Sequence, residues 1–278
     1  MALICAHLGS RALIRMGGPD WRAFLQGLIT ADVDALAVGE IRFAALLTPQ
    51  GRLLFDMFVV GGDDGCRLDV QAAQRDSLVQ RLTIYRLRTK VEIAPEPGRV
   101  LALWDDASGA AAGAPAGWLP DPRLPALGWR GVDLDPPPGA APADEDDYDA
   151  HRLALGVPDP ARDCAPDKTY PIEADFDLLH GVDFKKGCYV GQETTSRMKR
   201  RGGIKSRMLP IVFDGPPPPP GAEVLAGDLR AGQVLSGREG RAMALVRLDR
   251  IQGASLSVYG RPVRADPPAW LGPINVAD

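Results

Sequence analysis

Cysteine is scarce in this 278-residue chain: Cys5, Cys66, Cys164 and Cys188 lie far apart and form no C-x-x-C pair or Cys/His cluster. Such spacing encodes neither a local disulfide framework nor a zinc site, and the expectation is four free thiols and no bound metal. No window approaches about 18 uninterrupted apolar residues, which argues against a membrane span. The opening MALICAHLGSRALIRMGG has no basic segment before an apolar run and no small-residue cleavage site, so a cytoplasmic protein is expected. The dinucleotide fingerprint G-x-G-x-x-G is absent. RGGIKS resembles a phosphate loop only superficially, because the earlier glycine and the preceding strand are missing.

What is present suits a soluble chain with two or three modest cores, at 45% hydrophobic residues. ALIRM reads as a strand, and GPDWRAFLQGL as a helix with Trp21, Phe24, Leu25 and Leu28 on one face. IRFAALLT and LLFDMFVV flank the turn PQGR as a hairpin, with a further short strand in CRLDV. Residues 72–87 repeat Leu78, Leu82 and Tyr85 at helical spacing, and KVEIA returns to strand. That succession is the split βαβ pattern of ferredoxin-like layers. Past RVLALW, the Pro/Gly/Ala-rich DDASGAAAGAPAG and DPPPGAAPADEDD read as linkers. A short helix follows at 146–155, carrying Tyr148. After the stiff PPPPPG, glycine-punctuated strands over about 205–267 read as a small antiparallel barrel. The fold class is therefore α+β, with units at 1–98, 99–204 and 205–278, the first completed by part of 160–204.

Charge is distributed unevenly. The chain carries −4 overall, yet residues 185–207 hold Lys185, Lys186, Arg197, Lys199, Arg200, Arg201, Lys205 and Arg207 against Glu193 alone, which is +7 there and −11 elsewhere. Such asymmetry points to an anionic ligand or partner, or else to a solvated basic loop. In the same stretch Gly187 and Gly191 bracket Cys188, as glycines do where a backbone turns tightly or approaches a neighbour. Lys185, Lys186 and Arg197 would favour its thiolate, while a buried, inert cysteine is the competing reading. His7, His151 and His180 carry no local signature of a catalytic partner for it.

The run Lys186-Gly187-Cys188-Tyr189-Val190-Gly191-Gln192-Glu193 resembles the signature K-G-C-Y-x-G-Q-E of the YgfZ-type folate-binding family, relatives of the glycine-cleavage T-protein, an aminomethyltransferase. RALIRMGGPDWRAFLQGLITADV, LLTPQGRLLFDMFV and YPIEADFDLLHGVDFKKGC extend the resemblance over most of the chain. It implies a three-domain ring with a central tetrahydrofolate pocket and a role in maturing four-iron four-sulfur proteins, including radical enzymes that thiolate transfer RNA. By matched position it implies Cys188 as a functional thiol. Tyr148, Glu173, Lys186, Gly187, Tyr189, Gly191, Gln192, Glu193 and Arg197 are the expected folate-side residues. Arg11 stands where a relative has a second folate-side tryptophan, and Ala154 where T-proteins carry an acid. Iron–sulfur assembly proteins and their client enzymes are the implied partners. Two alternatives stand beside this reading: a one-carbon transferase using Asp56, Glu173 or Asp175 as its carboxylate, and a transfer-RNA contact through the basic run.

Overall fold

The computed structural model describes residues 2–105, 113–202 and 204–273. Most of the linker reading of DDASGAAAGAPAG therefore lies outside the described residues, as does Gly203 of the basic run. The chain begins with β1 (Leu3–His7), β2 (Arg11–Gly17), α1 (Trp21–Gln26), β3 (Ile41–Leu47), β4 (Leu53–Gly61), β5 (Gly65–Gln71), α2 (Arg75–Arg86) and β6 (Glu92–Glu96). The last five strands form an antiparallel sheet in the order β3-β4-β5-β2-β6. This is the expected split βαβ layer, with β3 added at one edge. One face packs Ile14, Met16, Leu46, Met57 and Leu68 under Trp21, Phe24 and Leu25 of α1 and Leu78 and Leu82 of α2. The other packs Phe43, Ala45 and Phe58 against Phe176, Val182 and Tyr189, and against Met208 and Met243 of the barrel. Burial on both faces explains why IRFAALL is nearly continuous in apolar residues instead of alternating.

A second sheet contains β7 (Val100–Asp105), β8 (Leu119–Pro120), β9 (Trp129–Val132) and β10 (Ala141–Ala143), in the order β10-β1-β7-β9-β8. The division after residue 98 needs one correction. β1 pairs antiparallel with β7 and parallel with β10, so the first strand of the chain belongs to the second unit. Its alternate residues serve both faces: Ala6 packs with Trp104 and Tyr148, and Cys5 with Trp118 and Trp129. β10 lies inside a proline-rich stretch read as linker. It is an edge strand, where the missing N–H of Pro142 can face away from the ladder.

The helix α3 (Glu145–Ala154) is set by a capping box, in which Asp144 accepts from the Asp147 N–H while Asp147 accepts from the Asp144 N–H. Beyond α4 (Pro160–Asp163) and α5 (Gln192–Arg201), β11 (Ser206–Val212), β12 (Glu223–Ala226), β13 (Leu229–Arg238), β14 (Arg241–Arg247), α6 (Leu248–Ile251), β15 (Leu256–Val258) and β16 (Arg261–Ala265) close the third unit. Its strands form a closed barrel in the order β11-β14-β13-β12-β15-β16 around Leu209, Ile211, Val224, Val234 and Val246. Closure leaves no free sheet edge, as expected for this segment.

Candidate functional site

The first two units meet at a cavity of about 40 Å³, lined by Arg11, Asp56 and Phe58 of the first sheet, Arg130 of the second, and Tyr148 and Arg152 of α3. Charged side chains organise it. Asp69 of β5 accepts at 2.6 Å from Arg11 Nε and at 2.5 Å from Arg130 Nη2, so one carboxylate ties the two sheets together. Arg11 also pairs with Asp56 at 3.0 Å. Arg123 holds Asp121 in a fork at 2.9 and 2.7 Å and donates to the Tyr148 hydroxyl at 3.0 Å. The Phe58 ring is surrounded by guanidiniums, with Arg130, Arg123 and Arg11 at 3.8, 4.9 and 5.5 Å from its centroid. Such cation–π contacts gain strength where water is excluded. Arg152 extends the network to the barrel by donating to Asp163 and, at 2.8 Å, to the Ser236 hydroxyl of β13.

Electrostatics follow from this packing. Burial opposes ionisation of Asp69, but Arg11 and Arg130 outweigh it and hold the carboxyl below its usual range. Asp121 is held down in the same way, burial being overcome by Arg123 and Arg130. Asp56 is pushed up, because burial exceeds the help of Arg11 and the Asp159 carboxylate adds repulsion. Burial likewise raises the Tyr148 phenol.

Tetrahydrofolate does not fit this arrangement. Cavities that hold molecules of that size run to roughly 300–1,000 Å³, whereas 40 Å³ has room for about three waters. The guanidiniums that could grip a ligand carboxylate are already answered by Asp56, Asp69, Asp121, Asp149 and Asp163. Tyr148 does line the cavity, but its ring packs on Trp104 with centroids 5.7 Å apart and its hydroxyl is held by Arg123. Arg11 fills the space with a guanidinium at the position matched to a tryptophan.

The signature residues sit elsewhere; none of them lines this cavity. Lys186 is buried, and its ammonium donates to the carbonyls of Ile29 and Ala31 at 2.7 and 2.6 Å. Burial lowers its pKa to about 8 against the pull of Asp32, Asp183 and Asp34. Its charge thus pins the loop to the segment after α1 and is not offered to a folate glutamate. Tyr189 is buried too, and burial pushes its phenol up to about 12. Among the described residues its hydroxyl has no partner. Gly191 has φ +81° and caps α5. A Cβ there would meet the Thr48 carbonyl oxygen at 2.5 Å, so glycine lets α5 start against the β3–β4 turn. Gly187 differs from the expected hinge: it is exposed, has no positive φ, and a Cβ on it would meet nothing within 4 Å.

Cys188 is exposed, while Cys5 and Cys66 are buried and Cys164 partly so; all four are free thiols as expected. Gln192 opens α5. Glu193 and Arg197 lie on its solvent side, 3.9 Å apart, too loose and too exposed to contribute much. Glu173 closes a local turn by accepting from the Tyr170 N–H at 2.9 Å, and burial raises its pKa. The other carboxylates considered for catalysis are engaged as well: Asp56 in the junction, and Asp175 with Arg207 at 2.6 Å. Among the described residues no three His, Cys, Asp or Glu side chains converge as metal ligands, and no helix is long and apolar enough to cross a membrane. Sequence reasoning missed Asp121, Arg123 and Arg130, which lie between the two stretches read as linkers and carry no periodic signal.

Residues 205–273 match the family model of the CAF17 C-terminal beta-barrel domain. Over 283 residues the chain is 35% identical to the mitochondrial iron–sulfur cluster assembly factor IBA57 of Homo sapiens, covering 91% of this chain and 80% of that protein. The chain belongs to the IBA57 family of iron–sulfur cluster assembly factors. Another family member, the mitochondrial IBA57 of Mus musculus, is 30% identical over 286 residues, covering 91% of this chain and 80% of its own length. These relatives correct the cytoplasmic expectation, since both are named as mitochondrial. The crystal structure of glycine cleavage system aminomethyltransferase T from Bartonella henselae superposes with a TM-score of 0.76 at 16% identity, over 96% of this chain and 85% of that one. That likeness establishes the T-protein-like fold read from the signature, and only the fold.

Proposed function

We propose that this chain assists the assembly or repair of four-iron four-sulfur proteins through the thiol of Cys188, with radical enzymes that thiolate transfer RNA among its clients. The observation that carries this reading is the exposure of Cys188 on a loop whose neighbours, Lys186 and Tyr189, are buried anchors. A thiol displayed by a pinned backbone is available to another protein and costs the chain little flexibility. Iron–sulfur sites ordinarily use four protein ligands, so a single cysteine can act on a cluster only together with a partner's thiols. The test is rescue of cells lacking the endogenous factor by wild type and by Cys188→Ser, reading a four-iron four-sulfur hydratase and the abundance of the variant. Loss of rescue at unchanged abundance is expected; full rescue by the serine variant ends the reading.

A folate-bound state is the second reading, favoured by one observation: Tyr148 lines a guanidinium-rich cavity between the first two units. It requires the Arg11–Asp69–Arg130 pairs to separate. Titration calorimetry with tetrahydrofolate decides it, and absence of heat removes folate from the account.

A further inference from the structure

Of the cations between residues 185 and 207, three are consumed internally. Lys186 is held by backbone carbonyls, Lys199 pairs with Asp177 at 2.8 Å, and Arg207 pairs with Asp175 and Asp177 at 2.6 and 2.9 Å. Lys185, Arg197, Arg200 and Lys205 remain exposed. Among the described residues, Lys185, Arg200 and Lys205 have no carboxylate in ion-pair reach, and Arg197 has only Glu193 at 3.9 Å. Surface arginines elsewhere are often answered locally, as Arg241 is by Asp266 at 2.8 Å and Arg247 by Asp249 at 2.6 Å.

The same face has shape. Phe184, Gln192, Glu193, Ser196, Lys199 and Arg200 line an open groove of about 570 Å³, and Phe184 is 37% exposed. Lys199 Nζ lies 5.6 Å from the Phe184 ring centroid and Arg200 lines the same groove; an aromatic beside a guanidinium matches the composition of protein interface cores, where few residues carry most of the affinity. The helix itself is polar nearly all round, with Met198 its single apolar residue. It is held by Gly191 and the buried Thr195 more than by a core-facing stripe, which is typical of helices that bridge to something outside the fold.

We infer that the exposed face of α5, with Phe184 and Lys185 before it, is a docking surface for an acidic protein whose carboxylates surround a small apolar contact. The inference rests on the proposed function and names the kind of partner that would be brought to Cys188, four residues from Phe184. Charge complementarity selects an acidic partner, since uncompensated cations steer encounter and penalise basic competitors. A protein is favoured over nucleic acid. Among the described residues lining the groove only Phe184 offers a ring for base stacking, and the −11 carried outside this segment repels a long polyanion while tolerating a compact acidic patch.

The test uses the full chain and a short fluorescein-labelled peptide of glutamates and leucines, followed by anisotropy at about 50 and about 200 mM salt, with unfractionated transfer RNA as competitor. Saturable, salt-sensitive peptide binding is expected. It should weaken about tenfold or more in the double variant Arg197→Glu/Arg200→Glu and also in Phe184→Ala, and stay unchanged in Arg99→Glu just before β7. Absent binding, equal binding by the charge-reversed variant, or tighter binding of transfer RNA than of peptide overturns the inference. Rescue experiments separate the two claims. If Cys188→Ser rescues fully while peptide still binds α5, the functional reading fails and the docking surface stands. If Cys188→Ser abolishes rescue while Arg197→Glu/Arg200→Glu rescues fully, the docking surface fails and the functional reading stands.

Discussion

Two regions of this protein are rich in positive charge and put it to opposite uses. At the junction, Arg11, Arg123, Arg130 and Arg152 are buried and each is answered by an aspartate from another element or a nearby turn. Along α5, Arg197 and Arg200 stand in solvent with little or no internal partner. A guanidinium desolvated against a carboxylate becomes architecture, because separating the pair leaves a buried charge. A guanidinium left in water costs almost nothing to keep and remains available to something else. Cation content alone therefore says little about binding; the location of the counter-charge decides.

The largest test of this contrast is Arg11→Ala, which strands Asp56 and leaves Asp69 with Arg130 alone, and is expected to cost about 3–5 kcal/mol in urea unfolding, whereas Arg200→Ala should change stability by less than about 0.5 kcal/mol. Equal effects at the two sites would break the comparison. Next, Gly191→Ala forces a side chain into the left-handed region and against the Thr48 carbonyl, for a loss of roughly 2 kcal/mol or more. Gly187→Ala, in open space, should be nearly neutral. Lys186→Met leaves the Ile29 and Ala31 carbonyls unpaired and should cost about 1–3 kcal/mol.

A pH titration sharpens the picture at the edge of the basic segment. Asp175 keeps its proton up to about 8 in the folded chain, because burial outweighs Arg207, against an ordinary value of 3.8. The folded state thus binds more protons, so this contribution to stability is complete below about pH 4 and is lost as pH rises toward 8. Asp177 acts with the opposite sign: Arg207 and Lys199 overcome its burial and hold it down, so its contribution is lost on acidification. Asp175→Asn should remove the decline toward pH 8 in unfolding measurements at pH 5, 7 and 9. Asparagine tolerates the φ of +60° found there. Cys188→Ser is likewise expected to stay within about 0.5 kcal/mol of wild type. A larger loss would mean that the thiol packs in the fold and is not on display.

Much of the fold was legible because periodicity reports burial. Trp21, Phe24 and Leu25, and Leu78 and Leu82, mark the two helices of the first layer and are the residues found buried there. Glycine-spaced strands likewise mark the barrel. β1 and β10 were not legible: LICAH is short, and APA has a proline and no apolar alternation, so their pairing depends on a sheet assembled from both ends of a 140-residue stretch. For the site, the signature stretch carries an exposed cysteine and a close-packed glycine, but nothing in it shows that Lys186 turns its ammonium inward.

The amino-acid sequence by itself determined the local elements, the antiparallel barrel and the concentration of positive charge around Cys188, since each depends on residues near one another in the chain. Tertiary structure alone decided which charges are spent. Asp69 meets Arg11 and Arg130 only after two sheets have folded and docked, and no spacing along the chain records that meeting. The physical reason is that Coulomb attraction depends on distance and desolvation in space, and those exist only once the three units have closed on one another.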